Sequence, residues 1–198
     1  MTKELAEVIK DDAQIVAKKL KLNYSKDVLD IVQFGSSVLE DSTPNDIDIA
    51  VIFQKIPLKE QLNQSQQIKN QLKKQIDIPI HINSFDLYSF FHEGNFAKEN
   101  ILFHGLSIIS GDYFSKNFGL TPRIQISYDL KNLKKKDKVR LHYTLRGKKG
   151  NYGLLKKFGG NLIRPGLIEI HPEHEKIFIE SIKKVTSKIK AKKILETN

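Results

Sequence analysis

The period of the apolar positions changes along the chain, and each change predicts an element. Leu5, Ile9, Ala13, Val16 and Leu20 recur every three or four residues and predict an amphipathic helix over 4–20. Asn23-Tyr24-Ser25 breaks it. Ile31-Val32-Gln33-Phe34 reads as a short strand and is followed by the small-residue corner Gly35-Ser36-Ser37. From Ile47 to Phe53 isoleucine and valine dominate. A strand's period of two puts Ile47, Ile49 and Val51 on one face and Asp46 and Asp48 on the other. Pro57, at a favoured first-turn position, opens a polar helix whose apolar face is Leu58, Leu62, Ile68 and Leu72. Its glutamines, among them Gln61, Gln64 and Gln71, read as solvent-facing. Ile76, Ile78, Ile80 and Ile82 alternate with Asp77, Pro79 and His81, which predicts a strand over 76–82, with the proline drawing it towards a sheet edge. Residues 85–91 and 96–103 read as helical, with Phe85, Phe90, Phe91, Phe96 and Phe103 as core. A short strand is expected within 105–111 and a domain boundary near 116–119.

The second part opens on an alternating, strand-like stretch, 123–128. Val139, Leu141, Tyr143 and Leu145 then alternate with basic residues, and both helix and strand remain open. Residues 147–153, with three glycines, read as a loop. Leu167–Ile170 reads as a strand. Pro172 opens a last helix with acids in its first turn, lysines towards its end and a buried stripe of Phe178, Ile182, Val185 and Ile189.

Composition narrows the class. The 198 residues suit one domain or one domain with a large extension. The chain has no cysteine, so disulfides and thiolate metal sites are excluded. No apolar run approaches the roughly 20 residues that span a bilayer, and the charged start carries no signal-like apolar core. A cytoplasmic protein with no membrane association is the expectation. The net charge of +10 is unevenly placed: residues 1–120 sum to −3 and contain no arginine, whereas residues 121–198 sum to +13. That asymmetry points to a polyanion at the second part. Arg140, Arg146, Lys148, Lys149 and Tyr152 are the candidate nucleic-acid contacts, because a glycine-lysine loop with a tyrosine can track phosphates and stack on a base. An exposed basic turn with Tyr152 packed inward is the competing reading.

The chemistry sits between the first two strands. Two like charges side by side repel, and a hard divalent cation resolves the conflict. Gly35 lets the backbone come close to a ligand, and Ser36 and Ser37 place hydroxyls where a helical turn would begin, a position that favours anions. One stretch thus offers a phosphate cradle, Gly35, Ser36 and Ser37, and a cation clamp, Asp46 and Asp48.

These residues resemble the signature of the nucleotidyltransferase superfamily related to DNA polymerase β: a hydrophobic residue, Gly-Ser, about ten residues, then Asp-hydrophobic-Asp-hydrophobic. Gly35-Ser36 and Asp46-Ile47-Asp48-Ile49 match it, and Asp77 stands where the family's third carboxylate is expected. The resemblance covers roughly residues 28–82. It implies an α/β (α+β) chain: a nucleotidyltransferase-fold mixed sheet flanked by helices over 1–117 and a basic α+β extension over 118–198. It also implies an enzyme that moves a nucleoside monophosphate from ATP or another nucleoside triphosphate to an acceptor hydroxyl, RNA being favoured over DNA as its carrier. Asp46, Asp48 and Asp77 would hold Mg²⁺ or Mn²⁺, and Ser36 with nearby N–H groups the β- and γ-phosphates. His81 reads as a packed or surface histidine. Small members of the family often read Gly-Ser-x-Ala-Arg-Gly. Here Ser37-Val38-Leu39-Glu40 follows, so that arginine is absent. Transfer to a protein or small molecule, and a catalytically silent nucleic-acid-binding scaffold, are the alternatives.

Overall fold

The computed structural model describes residues 20–39 and 44–197. The expected helix over 4–20 lies outside them except for Leu20, which packs against the core of the first unit. The chain divides into two compact units, Met1–Gly119 and Leu120–Asn198.

In the first unit four strands form one sheet: β1 (Val28–Phe34), β2 (Ile47–Phe53), β3 (Ile80–Asp86) and the two-residue β4 (Leu106–Ser107), in the order β3-β2-β1-β4. β1 is antiparallel to β2 and to β4, while β2 and β3 run parallel, so the sheet is mixed. The parallel pair needs a crossover, which helix α1 (Leu58–Lys73) supplies. Alternation buries both faces. Ile31, Ile47, Ile49 and Val51 pack with Ile68 and Leu72 of α1. Val32, Phe34, Ala50 and Ile52 pack on the opposite face with Phe90, Ile101 and Phe114. Phe90 belongs to α2 (Leu87–Phe91), capped by Asp86, and Ile101 to α3 (Lys98–His104).

Several expectations need correction here. The third strand begins at Ile80, not at residue 76. Ile47 N donates to Pro79 O at 2.8 Å and the ladder continues from Ile80, whereas the proline itself has no N–H to give. Within α1 the buried face is Gln61, Ser65, Ile68 and Leu72, while Leu58 and Leu62 are exposed. Gln61 donates to Ile56 O at 2.9 Å, and Gln71 clasps the backbone of Asn23 through both its amide atoms. These glutamines are structural hydrogen-bonding groups and not a bare polar face. Phe90 and Phe103 are core, but Phe96 is 95% exposed and Phe91 is also exposed.

In the second unit β5 (Leu120–Tyr128) leads to α4 (Lys135–Arg146), a hairpin of β6 (Gly147–Lys148) and β7 (Asn151–Tyr152), and the short α5 (Leu154–Lys157). Then come β8 (Asn161–Arg164), β9 (Leu167–Ile170), α6 (Glu175–Lys183) and β10 (Ile189–Thr197). The sheet is antiparallel throughout, in the order β10-β5-β9-β8. The ambiguous stretch is helical because its buried residues, Leu141 and Leu145, lie one helical turn apart. Where the last helix was expected to run on through Ile189, it ends at Lys183. Residues 189–197 instead pair along the whole of β5. The described residues contain no helix long and apolar enough to cross a membrane.

Candidate functional site

The corner after β1 is a single four-residue 3₁₀ turn, Gly35–Val38. A turn this short has no macrodipole to attract an anion, so any phosphate contact there rests on individual N–H and hydroxyl groups. Gly35 has φ +76°, in the left-handed region that side chains disfavour. A Cβ on Gly35 would lie 2.6 Å from Oδ2 of Asp48. The turn's backbone is therefore set directly against that carboxylate. Ser36 is exposed on the turn. Ser37 is buried, donating from Oγ to Phe34 O at 3.1 Å and accepting from Gln33 Nε2 at 3.0 Å. Its hydroxyl stabilises the corner from within.

Asp46 immediately precedes β2 and Asp48 is its second residue. Across the antiparallel pair Asp48 faces Phe34, and across the parallel pair it faces His81. His81 Nδ1 lies 3.5 Å from Asp46 Oδ2 and 3.9 Å from Asp48 Oδ1. Both carboxylates reach one imidazole, so they share a face, as strand alternation requires. Their side chains are about one-third exposed, at 38% and 32%. Asp48's carboxyl is held above its ordinary range, first by burial and then by the charge of Asp46, with His81 opposing the shift. The repulsion expected from the spacing is thus present, and a cation would relieve it.

The third carboxylate is not part of this arrangement. Asp77 is exposed and lies before β3 begins, and among the described residues it does not group with Asp46 and Asp48 to hold one metal ion. The residue brought beside the pair is His81, which sequence reasoning left as a packed or surface side chain. Its partnership with Asp48 follows from strand register, and the start of β3 decides that register. The donor set still fits a hard divalent cation, because Mg²⁺ is commonly held by one or two carboxylates and completes its shell with water and phosphate oxygens. Among the described residues no group of three or more His, Asp or Glu side chains is placed to hold a metal. A cation at Asp46 and Asp48 would take its remaining oxygens from solvent and substrate.

No protein-family model matches the chain, and no curated protein matches it.

The second unit divides the remaining candidates. Arg140, Lys148 and Tyr152 line one open hollow between α4 and the β6–β7 hairpin. Arg146 lines a different one, with Tyr128, Leu141 and Pro165. Lys149 is exposed in the hairpin turn and lines neither. Tyr152 is 74% exposed, which rules out the inward-packed alternative. Tyr143 was not singled out from the sequence. It joins the same hollow and is also exposed.

Proposed function

We propose that the first unit is a divalent-cation-dependent nucleotidyltransferase. It binds a nucleoside triphosphate with Mg²⁺ or Mn²⁺ and passes the nucleoside monophosphate to an acceptor hydroxyl. The observation that carries this reading is the convergence of Asp46 and Asp48 on one partly open face, with the left-handed Gly35 turn against the Asp48 carboxylate. The mixed sheet flanked by helices agrees with a nucleotidyltransferase fold.

Asp46 and Asp48 hold the cation, which when bound neutralises charge on the phosphates. Gly35 lets the backbone of the turn sit against the Asp48 carboxylate, and Ser36 presents its exposed side chain on the same turn. In the transfer, the acceptor oxygen forms a bond to the α-phosphorus. The bond from that phosphorus to the oxygen bridging the β-phosphate breaks, pyrophosphate leaves with the electron pair, and the hydroxyl proton passes to water. The protein's part is to fix the geometry and charge of this in-line step.

One observation favours a second reading. His81 stands beside the pair, whereas the resemblance assigned the third carboxylate to Asp77. A scaffold that binds nucleotide and cation without transfer would need only Asp46 and Asp48. Incubation with α-phosphate-labelled ATP, CTP, GTP or UTP, Mg²⁺ or Mn²⁺ and RNA, protein or small-molecule hydroxyls separates the two. Transfer by the parent that Asp46→Asn and Asp48→Asn each abolish is the expected result. Cation-dependent nucleotide binding without transfer selects the second reading, and transfer that survives both substitutions overturns the site.

A further inference from the structure

The hollow between α4 and the β6–β7 hairpin combines two features that do not arise from a merely solvated helix face. Lys136, Val139, Arg140, Tyr143 and Thr144 recur at helical spacing, so α4 turns one continuous stripe towards it while Leu141 and Leu145 are buried elsewhere. The hairpin supplies Lys148, Asn151 and Tyr152. The space is about 560 Å³, and among the described residues no acidic side chain lines it. Two aromatic rings stand at its surface, Tyr143 at 45% and Tyr152 at 74% exposure. Each carries an ammonium over its ring: Lys148 Nζ lies 5.8 Å from the Tyr143 centroid and Lys156 Nζ 4.1 Å from that of Tyr152. Such a contact covers one face of a ring and orients it, so a base would stack on the other face.

The hairpin is held in place by backbone geometry. Gly147 has φ +88°, and a Cβ at Gly147 or at Gly153 would collide with the backbone of the other side of the loop. The seven-residue excursion is therefore closed on the end of α4, and the loop carries Tyr152 on a fixed base.

We propose that this hollow binds single-stranded nucleic acid, with bases stacked on Tyr143 and Tyr152 and the phosphates met by Lys136, Arg140 and Lys148. A duplex keeps its base faces inside the stack and offers mainly phosphates to a basic surface. Exposed rings gain from unpaired bases, whose faces they can cover. The site stands independently of the nucleotidyl-transfer reading.

Fluorescein-labelled 12-nucleotide oligo(U) RNA, oligo(dT) DNA and a 12-base-pair duplex, titrated with the full chain by anisotropy over a salt series, provide the test. The two single strands bind more tightly than the duplex, and their difference tells RNA from DNA. Tyr143→Ala and Tyr152→Ala each weaken single-strand binding at least about fivefold, the lower end for loss of one base–aromatic stack. The corresponding phenylalanine variants retain most of the affinity. Lys136→Ala and Arg140→Ala each reduce the slope of log K against log salt by about 0.7. Quenching of tyrosine fluorescence in the unmodified chain reports stacking even if an alanine variant fails to fold. Asp46→Asn with Asp48→Asn binds oligonucleotide unchanged, which keeps this outcome separate from the fate of the first unit. Equal or tighter duplex binding, alanine variants that bind like the parent, or no quenching on binding would overturn the proposal.

Discussion

Gly35 shows how one residue can link conformational freedom to chemistry. Its φ of +76° alone disfavours any side chain, and the space a Cβ would need is already occupied by Oδ2 of Asp48. Gly35→Ala should therefore act twice, through backbone strain of roughly 1–2 kcal/mol and through displacement of a carboxylate of the proposed cation site. Gly119 separates the two effects: its φ is +70° and no atom of the described residues lies within 4 Å of an added Cβ. Both alanine variants should lower the melting temperature. Only Gly35→Ala should weaken binding of Mn²⁺ with nucleotide in a calorimetric titration, and equal binding by the two would separate the turn from the site. Asp30 offers a second test at this scale. It is buried on β1, where Oδ1 accepts from the Ser107 hydroxyl at 2.7 Å and the Ile31 N–H at 2.8 Å, and Oδ2 from the Asn117 amide at 2.6 Å. Burial nevertheless holds its carboxyl above the ordinary value, and these bonds only partly offset it. The folded state thus binds the proton more tightly than the unfolded state. The stability that protonation adds is fully present below the unfolded pKa and is lost as pH rises through the raised folded one. Asp30→Asn mimics the neutral form, so its melting temperature relative to the parent should rise as pH climbs from the unfolded carboxyl's value of about 4 through the raised folded one. A gap that stays constant with pH would show that the carboxyl titrates as it does in the unfolded chain.

At the scale of elements, legibility depended on how far away the deciding contact lay. The β1–turn–β2 stretch could be read because its alternation, its glycine and its paired acids are all local. β3 could not be placed from its isoleucines, which keep the same alternation on both sides of Pro79. The choice of Ile80 as the first paired residue is made by Ile47 on another strand. The strand begins at Ile80 and not at residue 76, which leaves Asp77 outside the paired stretch and sets His81 beside Asp48, so the most local part of the site was legible and its third member was not. β10 was hidden for another reason. Its exposed lysines, Lys190, Lys192 and Lys193, obscure the strand period and read as the end of a helix. They also suit a sheet edge, where charge discourages pairing with another chain. α4 shows alternation misleading in the other direction, since only Leu141 and Leu145 of its alternating apolar set are buried. Gln61 and Gln71 look like surface residues because nothing local shows that their amides will satisfy backbone groups of Ile56 and Asn23.

For the molecule as a whole, charge and core are divided in the same place. The first unit carries the acid pair and, over residues 1–120, a net charge of −3. Residues 121–198 sum to +13. Part of that excess has a structural use along β10, so net charge alone overstates the case for a polyanion. The basic residues that bear on binding are those gathered with tyrosines at one hollow. The two proposals thus place ligands of related chemistry on different units, one to be held through a cation and one through cations of the protein itself. Hydrogen exchange read peptide by peptide can tell these assignments apart. A nucleoside triphosphate with Mg²⁺ should slow exchange in peptides containing residues 35–39 and 46–49, and Asp48→Asn should remove that protection. Single-stranded oligonucleotide should slow exchange around 147–153 and along the outer turns of α4, and Asp48→Asn should leave this unchanged. The reason is physical: a ligand that binds only the folded state raises the free energy of local opening wherever it is held. Protection of 147–153 by nucleotide with Mg²⁺, or of 35–39 by oligonucleotide, would mean that the assignment of one ligand to each unit is wrong.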